Sequence, residues 1–202
     1  NLPNLKRAIP KEEHYEFRQI FILSLVYALT FGAELAVVSM FPQFLETTFG
    51  LSVATAGILG SSFAVMNLIT RPSGGWLSDL LGRRQTLAVL VLGALAGFWA
   101  MGEINASWHL GWVILLAITC SVFLQAGNGA CFAAVPLIRK DLTGKMAGMA
   151  GAYGNVGAVF FLTAYSLVSA QDFFRIIGGY AIVVCLCLLL LQSFKKLHVS
   201  YQ

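Results

Sequence analysis

Charge is scarce in this chain. Asp, Glu, Lys and Arg make up 11% of its 202 residues, against about a quarter in a soluble domain. With so few charges it has no means of covering its apolar surface in water. Histidine is rarer still: His14, His109 and His198 lie far apart at predicted ends and loops, which argues against a metal site. The four cysteines, Cys120, Cys131, Cys185 and Cys187, all fall inside apolar runs without CxxC or Cys/His spacing. They read as small packing residues, not as disulfides or ligands. No nucleophile–base pair, metal cluster or phosphate-binding loop is found, so an enzyme is not expected, and neither is a cofactor. The net charge of +4 is too modest to suggest nucleic acid as a partner. The opening "NLPNLKRAIPKEEHYEFRQ" is polar, starts without Met and lacks the apolar stretch of a signal peptide. It reads as a connector from something upstream, and the chain as a fragment.

What is abundant is hydrophobicity, at 58% of residues and a mean hydropathy of +0.78. The excess has to face a lipid bilayer. A spanning helix needs about 20 mainly apolar residues, and six such runs occur, near 19–45, 54–80, 86–104, 111–137, 147–169 and 174–194. The expected fold is therefore an all-α integral membrane protein, a six-transmembrane-helix bundle over 19–194. Residues 1–18 form a cytoplasmic connector and 195–202 a cytoplasmic tail in this reading. With both ends inside, the cytoplasmic segments carry Lys6, Arg7, Lys11, Arg18, Arg83, Arg84, Arg139, Lys140, Lys145, Lys195 and Lys196, and the outer loops carry Arg175 alone. That asymmetry follows the positive-inside rule. The plasma (inner) membrane is the expected location.

One basic residue is left over. Arg71 sits in "NLITRPSGGWLSDLLGRR", about eight residues or ~12 Å before Asp79. Tyr27 lies ~14 Å in from Arg18, and Asn128 and Asn155 lie ~15–17 Å in from Arg139 and Lys145. Four helices thus place a hydrogen-bonding group at one depth. A charge there costs at least ~2.5 kcal/mol unless it meets a partner or a wet cavity. Either Arg71 pairs with a carboxylate, or it lines a central cavity and binds an anion, for which its two-pronged donor geometry suits planar oxyanions. Pro72 directly after it predicts a bend. Tyr27, Phe31 and Glu34, at i, i+4 and i+7, share one face of the first helix. Glu34 lies ~24 Å from the cytoplasmic end, where it could carry a proton or serve as partner to Arg71 or to a polar group of a neighbouring helix. "QAGNGACFAAVP" and "GMAGAYGNVGAVFF" are rich in glycines that let helices approach closely. Packing does not explain the Asn128 and Asn155 amides among them. A narrow cavity for a small anion explains both.

"GGWLSDLLGRR" resembles the loop motif G-x-L-x-D-x-x-G-R-R of the major facilitator superfamily, with Gly75, Leu77, Asp79, Gly82, Arg83 and Arg84 at its positions. "FGAELAVVSMFPQFL", "FAVMNLITRPSGGWLSD", "QAGNGACFAAVPLI" and "MAGAYGNVGAVFF" together resemble the C-terminal half of the nitrate/nitrite porters. The resemblance implies one six-helix half of a twelve-helix secondary transporter, with nitrate or nitrite held between two arginines, one from each half. It places Arg71, Tyr27, Phe31, Asn128, Asn155, Gly154 and Gly157 at the substrate. Gly75, Asp79, Gly82, Arg83 and Arg84 would form a gate that opens as the halves rock, and Glu34 is the candidate for proton coupling. It also implies an N-terminal six-helix half as partner, in the same full-length chain or as a separate subunit. The expected function is alternating-access transport of nitrate, with symport favoured over exchange. The alternatives are a facilitator for another small solute, or a non-transporting assembly or sensor subunit.

Overall fold

The computed structural model describes residues 11–139 and 142–191, with side chains from Phe17 onward. The tail 195–202, most of the connector 1–18, His198 and the basic residues Lys6, Arg7, Lys140, Lys195 and Lys196 lie outside the described residues, as do the side chains of Lys11 and His14. Among the described residues every regular element is helical, and six helices are long and apolar enough to cross a membrane: α1 Phe17–Phe49, α2 Val53–Leu81, α3 Arg83–Met101, α4 Leu110–Leu137, α5 Thr143–Leu167 and α6 Ala170–Leu189. The all-α six-helix architecture expected from the apolar runs is the one the chain adopts.

Local chemistry sets the ends of these helices. Ser52 and Ser169 accept hydrogen bonds from the backbone N–H of Thr55 and Asp172, each at 3.2 Å, and so cap α2 and α6. Gly50 closes α1 at φ +65°, and Gly82 separates α2 from α3 at φ +96°. Both angles are open to glycine at little cost. The Ser169 cap starts α6 ahead of Arg175, so that residue sits in the helix, bonded to Glu103 at 3.0 Å and to Asp172 at 3.2 Å, and not in the preceding loop.

The centre belongs to α1: 78% of its apolar window is buried, against 22% for α2 and 33% for α5. Its inner face supplies Leu23, Val26, Leu29, Val37, Phe41 and Phe44 to the core. α5 packs along α1, α2 packs on α4, and α3 packs on both α4 and α6. Outward-facing Leu68, Ile69 and Trp76 of α2 and Val159 and Leu167 of α5 are more than 60% exposed, as apolar residues in contact with lipid or another helix layer would be.

Two helices depart from regular geometry in their interior. α1 contains a five-residue π turn, Ala28–Gly32, where α5 comes closest. A Cβ on Gly32 would lie 2.6 Å from the Gly157 carbonyl carbon, and one on Gly157 would overlap the Ala28 backbone. α2 breaks at Met66, between segments Val53–Val65 and Asn67–Leu81. The bend expected at Pro72 is displaced toward the N-terminus. A proline lacks the bond to the carbonyl four residues earlier and collides with it, so the distortion falls on the preceding turns.

α2 and α4 meet backbone to backbone. A Cβ on Gly74 would overlap Ala126, and one on Gly129 would overlap the Arg71 carbonyl. Without a hydrophobic force between helices in lipid, such contact is a main source of cohesion. Gly129→Ala is expected to cost about 1–3 kcal/mol and to lower the thermal midpoint of the detergent-purified protein by several degrees. Gly179→Ala, where a Cβ meets nothing within 4 Å, is expected to leave the midpoint unchanged.

Candidate functional site

The close contact of α2 with α4 carries Arg71 to the inner side of the bundle, opposite α1. Its guanidinium is half-buried and donates through Nη2 to the Tyr27 hydroxyl at 3.0 Å. Among the described residues no carboxylate comes within ion-pair distance of it, and no other acceptor takes its remaining N–H groups, of which an arginine has five in all. Tyr27 and Phe31 stack with ring centroids 5.0 Å apart and planes 5° from parallel, and Phe132 of α4 meets Tyr27 edge-on at 4.6 Å. Gly154 lies under this pair: a Cβ there would sit 2.6 Å from the Tyr27 ring and 2.9 Å from that of Phe31. A cationic fork thus stands beside an aromatic wall, with its orientation set by a phenol.

Glu34 sits in a separate cluster. It is 4% exposed. Its Oε1 accepts from Asn67 Nδ2 at 2.7 Å and its Oε2 from Asn128 Nδ2 at 2.5 Å. Its charge and that of Arg71 act on each other through space, without contact. Of the roles open to Glu34, contact with polar groups on neighbouring helices is the one observed. Asn128 is wholly buried, its Oδ1 without a partner among the described residues.

The remaining expected site residues separate. Asn155 is exposed and donates to the Gly151 carbonyl of its own helix at 3.2 Å, one turn back, so it does not join Arg71. It is next to Gly154 in sequence, but successive side chains point about 100° apart around a helix, and Gly154 takes the inner side. Gly157 is buried against Ala28. Both glycines therefore seat α5 on the aromatic pair and the π turn.

At the helix end that carries Gly82, Arg83 binds Asp79 and Ser78 and reaches the Gly75 carbonyl at 3.4 Å. Arg84 donates to the Leu189 carbonyl at 3.0 Å, satisfying an orphan acceptor at the end of α6. Ser78, Asp79, Gly82, Arg83 and Arg84, with Leu137 and Cys185, line a cavity of about 890 Å³. A charged knot therefore joins α2, α3 and α6 at this end.

The Major Facilitator Superfamily profile matches residues 21–200. The chain belongs to that superfamily. The nitrate/nitrite transporter NrtP of Picosynechococcus sp. is 42% identical over 215 residues, covering 96% of this chain and 40% of that protein. NrtP of Nostoc punctiforme is 39% identical, covering 88% and 36%, and the high affinity nitrate transporter 2.7 of Arabidopsis thaliana is 33% identical, covering 75% and 31%. The chain spans about two fifths of the length of these relatives. In structure it is similar to the proton:xylose symporter XylE, with a TM-score of 0.74 at 16% identity, over 94% of this chain and 47% of that one. At that identity the likeness bears on fold alone. As a major facilitator with six apolar helices, this is a multi-pass membrane protein, and the three relatives just named are nitrate or nitrate/nitrite transporters.

Two polar residues outside the expected site set, Asn67 and Gln125, also turn into the bundle. Asn67 stands in an apolar run four residues before Arg71, on the same helical face, and that spacing was the available signal. Gln125 lies three before Asn128 in "QAGNGA" and is wholly buried, whereas Asn67 is half-buried. The π turn of α1 left no signal beyond Gly32.

Removing the Glu34 carboxylate would strand two amides. Hydrogen bonds to a charged acceptor contribute about 1.5–3 kcal/mol each. Glu34→Ala is therefore expected to destabilise the purified protein by about 3 kcal/mol or more in thermal unfolding. Glu34→Gln is expected to lose less than half as much, since an amide of the same shape still accepts from one asparagine and can donate to the other.

Proposed function

We propose that this chain is the C-terminal half of a secondary transporter that moves nitrate, and also nitrite, by alternating access. One observation carries the reading: a permanent cation inside an apolar bundle, bonded to a tyrosine and, among the described residues, to no carboxylate. Such a group is costly to keep in lipid, and its cost is offset when an anion is its partner. A planar oxyanion matches the parallel N–H pair of a guanidinium, and the stacked Tyr27 and Phe31 give it a flat apolar wall. The names of the relatives point to the same substrate class. Arg71, Tyr27 and Phe31 form the core of the proposed site. Asn128 enters it through Glu34, Gly154 by supporting the rings, Gly157 by seating α5, and Asn155 from the exposed face of α5, where an N-terminal half would complete the pocket. The chain carries no catalytic chemistry in this reading.

The knot of Gly75, Asp79, Gly82, Arg83 and Arg84 is the proposed gate. Its bonds join three helices at one end and have to break or re-form when the halves rock. That end is assigned to the cytoplasm of the plasma membrane by the basic residues, with both ends of this segment inside. In intact cells a cysteine-free background carrying Ser107→Cys is expected to react with a membrane-impermeant thiol reagent, whereas Gly144→Cys reacts after permeabilisation alone. The reverse pattern would overturn the orientation.

Nitrate entry against a negative-inside potential is opposed by about 2.3 kcal/mol per 100 mV, which proton symport overcomes. Glu34 is the one carboxylate buried among the described residues, so it is the proposed proton acceptor. Glu34→Gln is expected to abolish the internal acidification that accompanies nitrate addition. Acidification at the wild-type rate would remove Glu34 from the coupling step.

The deciding experiment is nitrate uptake by cells carrying the complete reading frame, wild type against Arg71→Lys. Lysine keeps the charge and loses the fork. Uptake is expected to fall at least tenfold, the equivalent of about 1.4 kcal/mol. Equal uptake would make Arg71 structural and overturn the site.

A further inference from the structure

Arg71 stands five residues beyond the Met66 break in its own helix, so regular helical bonding does not carry its position over from the first segment of α2. Side chains of α4 bridge the gap. Ser121 Oγ and Gln125 Nε2 both donate to the Phe63 carbonyl, at 2.5 and 2.8 Å, and thereby hold the first segment. Gln125 Oε1 accepts from Thr70 Oγ1 at 3.0 Å and holds the second. Thr70 is adjacent to Arg71 in the chain, and its single hydroxyl proton is shared between Gln125 Oε1 and the Met66 carbonyl at the break itself, which lies 2.7 Å away. The orientation of the Gln125 amide is dictated by chemistry: a carbonyl can only accept, so Nε2 faces Phe63 and Oε1 is left for Thr70. Gln125 is wholly buried. One turn further along α4, Gly129 abuts the Arg71 carbonyl, so the same face of α4 that holds the break also supports the arginine.

Packing does not call for an amide here. A leucine fills a similar volume, and Ser121 alone would still satisfy the Phe63 carbonyl. What an amide adds is a donor and an acceptor at opposite sides of one planar group, and the two segments of α2 take one each. We propose that Gln125 is a positioning residue for anion binding: a brace across the Met66 break that sets where the Arg71 guanidinium meets its ligand beside Tyr27. The proposal rests on the reading of Arg71 as an anion clamp. Displacement of a clamp by a fraction of an ångström weakens a two-pronged bond, which depends on direction as well as distance.

The test is nitrate uptake by cells carrying the complete reading frame, with KM and Vmax measured per molecule of folded protein in the membrane. Gln125→Leu is expected to raise KM about tenfold and to leave Vmax within about twofold, the pattern of lost substrate binding. Thr70→Val, which deletes only the hydroxyl on the Arg71 side, is expected to raise KM about threefold, and it decides the matter if Gln125→Leu fails to fold. Ser121 grips only the far segment, so Ser121→Ala is expected to keep the wild-type KM. A merely structural Gln125 would lower the amount of folded protein and leave KM unchanged. Unchanged KM in Gln125→Leu and Thr70→Val, with uptake lost in Arg71→Lys, would overturn the brace and leave the clamp standing. A rise in Ser121→Ala equal to that in Gln125→Leu would also overturn the brace. Wild-type uptake in Arg71→Lys would overturn clamp and brace together.

Discussion

A guanidinium cannot shed its proton inside a protein, and this one constraint organises the bundle around Arg71. A buried lysine or glutamate can escape the cost of an apolar setting by becoming neutral; an arginine has to be accommodated by position. Here the accommodation is partial. A phenol takes one N–H, a carboxylate stands near without touching, and the side chain stays half-buried. α2, the helix that carries it, is the least buried of the six, its outward face lined by exposed Leu68, Ile69 and Trp76.

Most of the other features serve to hold that charge in place. Glu34 is held by two asparagines, one from α2 and one from α4, so its carboxyl group has a defined position and makes no ion pair with Arg71. A closed pair would occupy the same N–H groups that the proposed site offers to an anion. The backbone contacts at Gly74 and Gly129 press α2 on α4, and those at Gly32 and Gly157 press α1 on α5. Each brings a polar or aromatic side chain within reach of its partner from another helix. In lipid, where apolar side chains gain little by meeting one another, this approach of backbones is what makes so small a polar layer rigid.

The legible part of the site was the part carried on single helices. Arg71 announced itself as a charge inside an apolar run. Tyr27 and Phe31 announced themselves by a four-residue spacing, and they do stack. Asn128 and Asn155 looked alike in sequence, as lone amides among glycines at matching depth. The fold separates them: Asn128 turns inward to Glu34, and Asn155 turns outward and bonds to its own helix. Depth along a helix can be counted from its charged end. Direction around it depends on which neighbour the helix packs against, and the π turn shifts even that count within α1. Asn67 and Gln125 escaped notice because their role exists only between helices.

The sequence by itself determined that this chain lives in a membrane, that it crosses six times, and that a charge and several amides lie at one depth within it. Those properties follow from hydrophobicity and a fixed rise per residue, which are local and additive. The superfamily was legible too, in the short charged motif between two of the spans. Tertiary structure alone decided which polar groups meet, which glycines are contacts and which are open, and where α2 breaks. Those outcomes depend on the rotation and approach of helices far apart in the chain, and a hydrogen bond exists only when both of its ends arrive within about 3 Å.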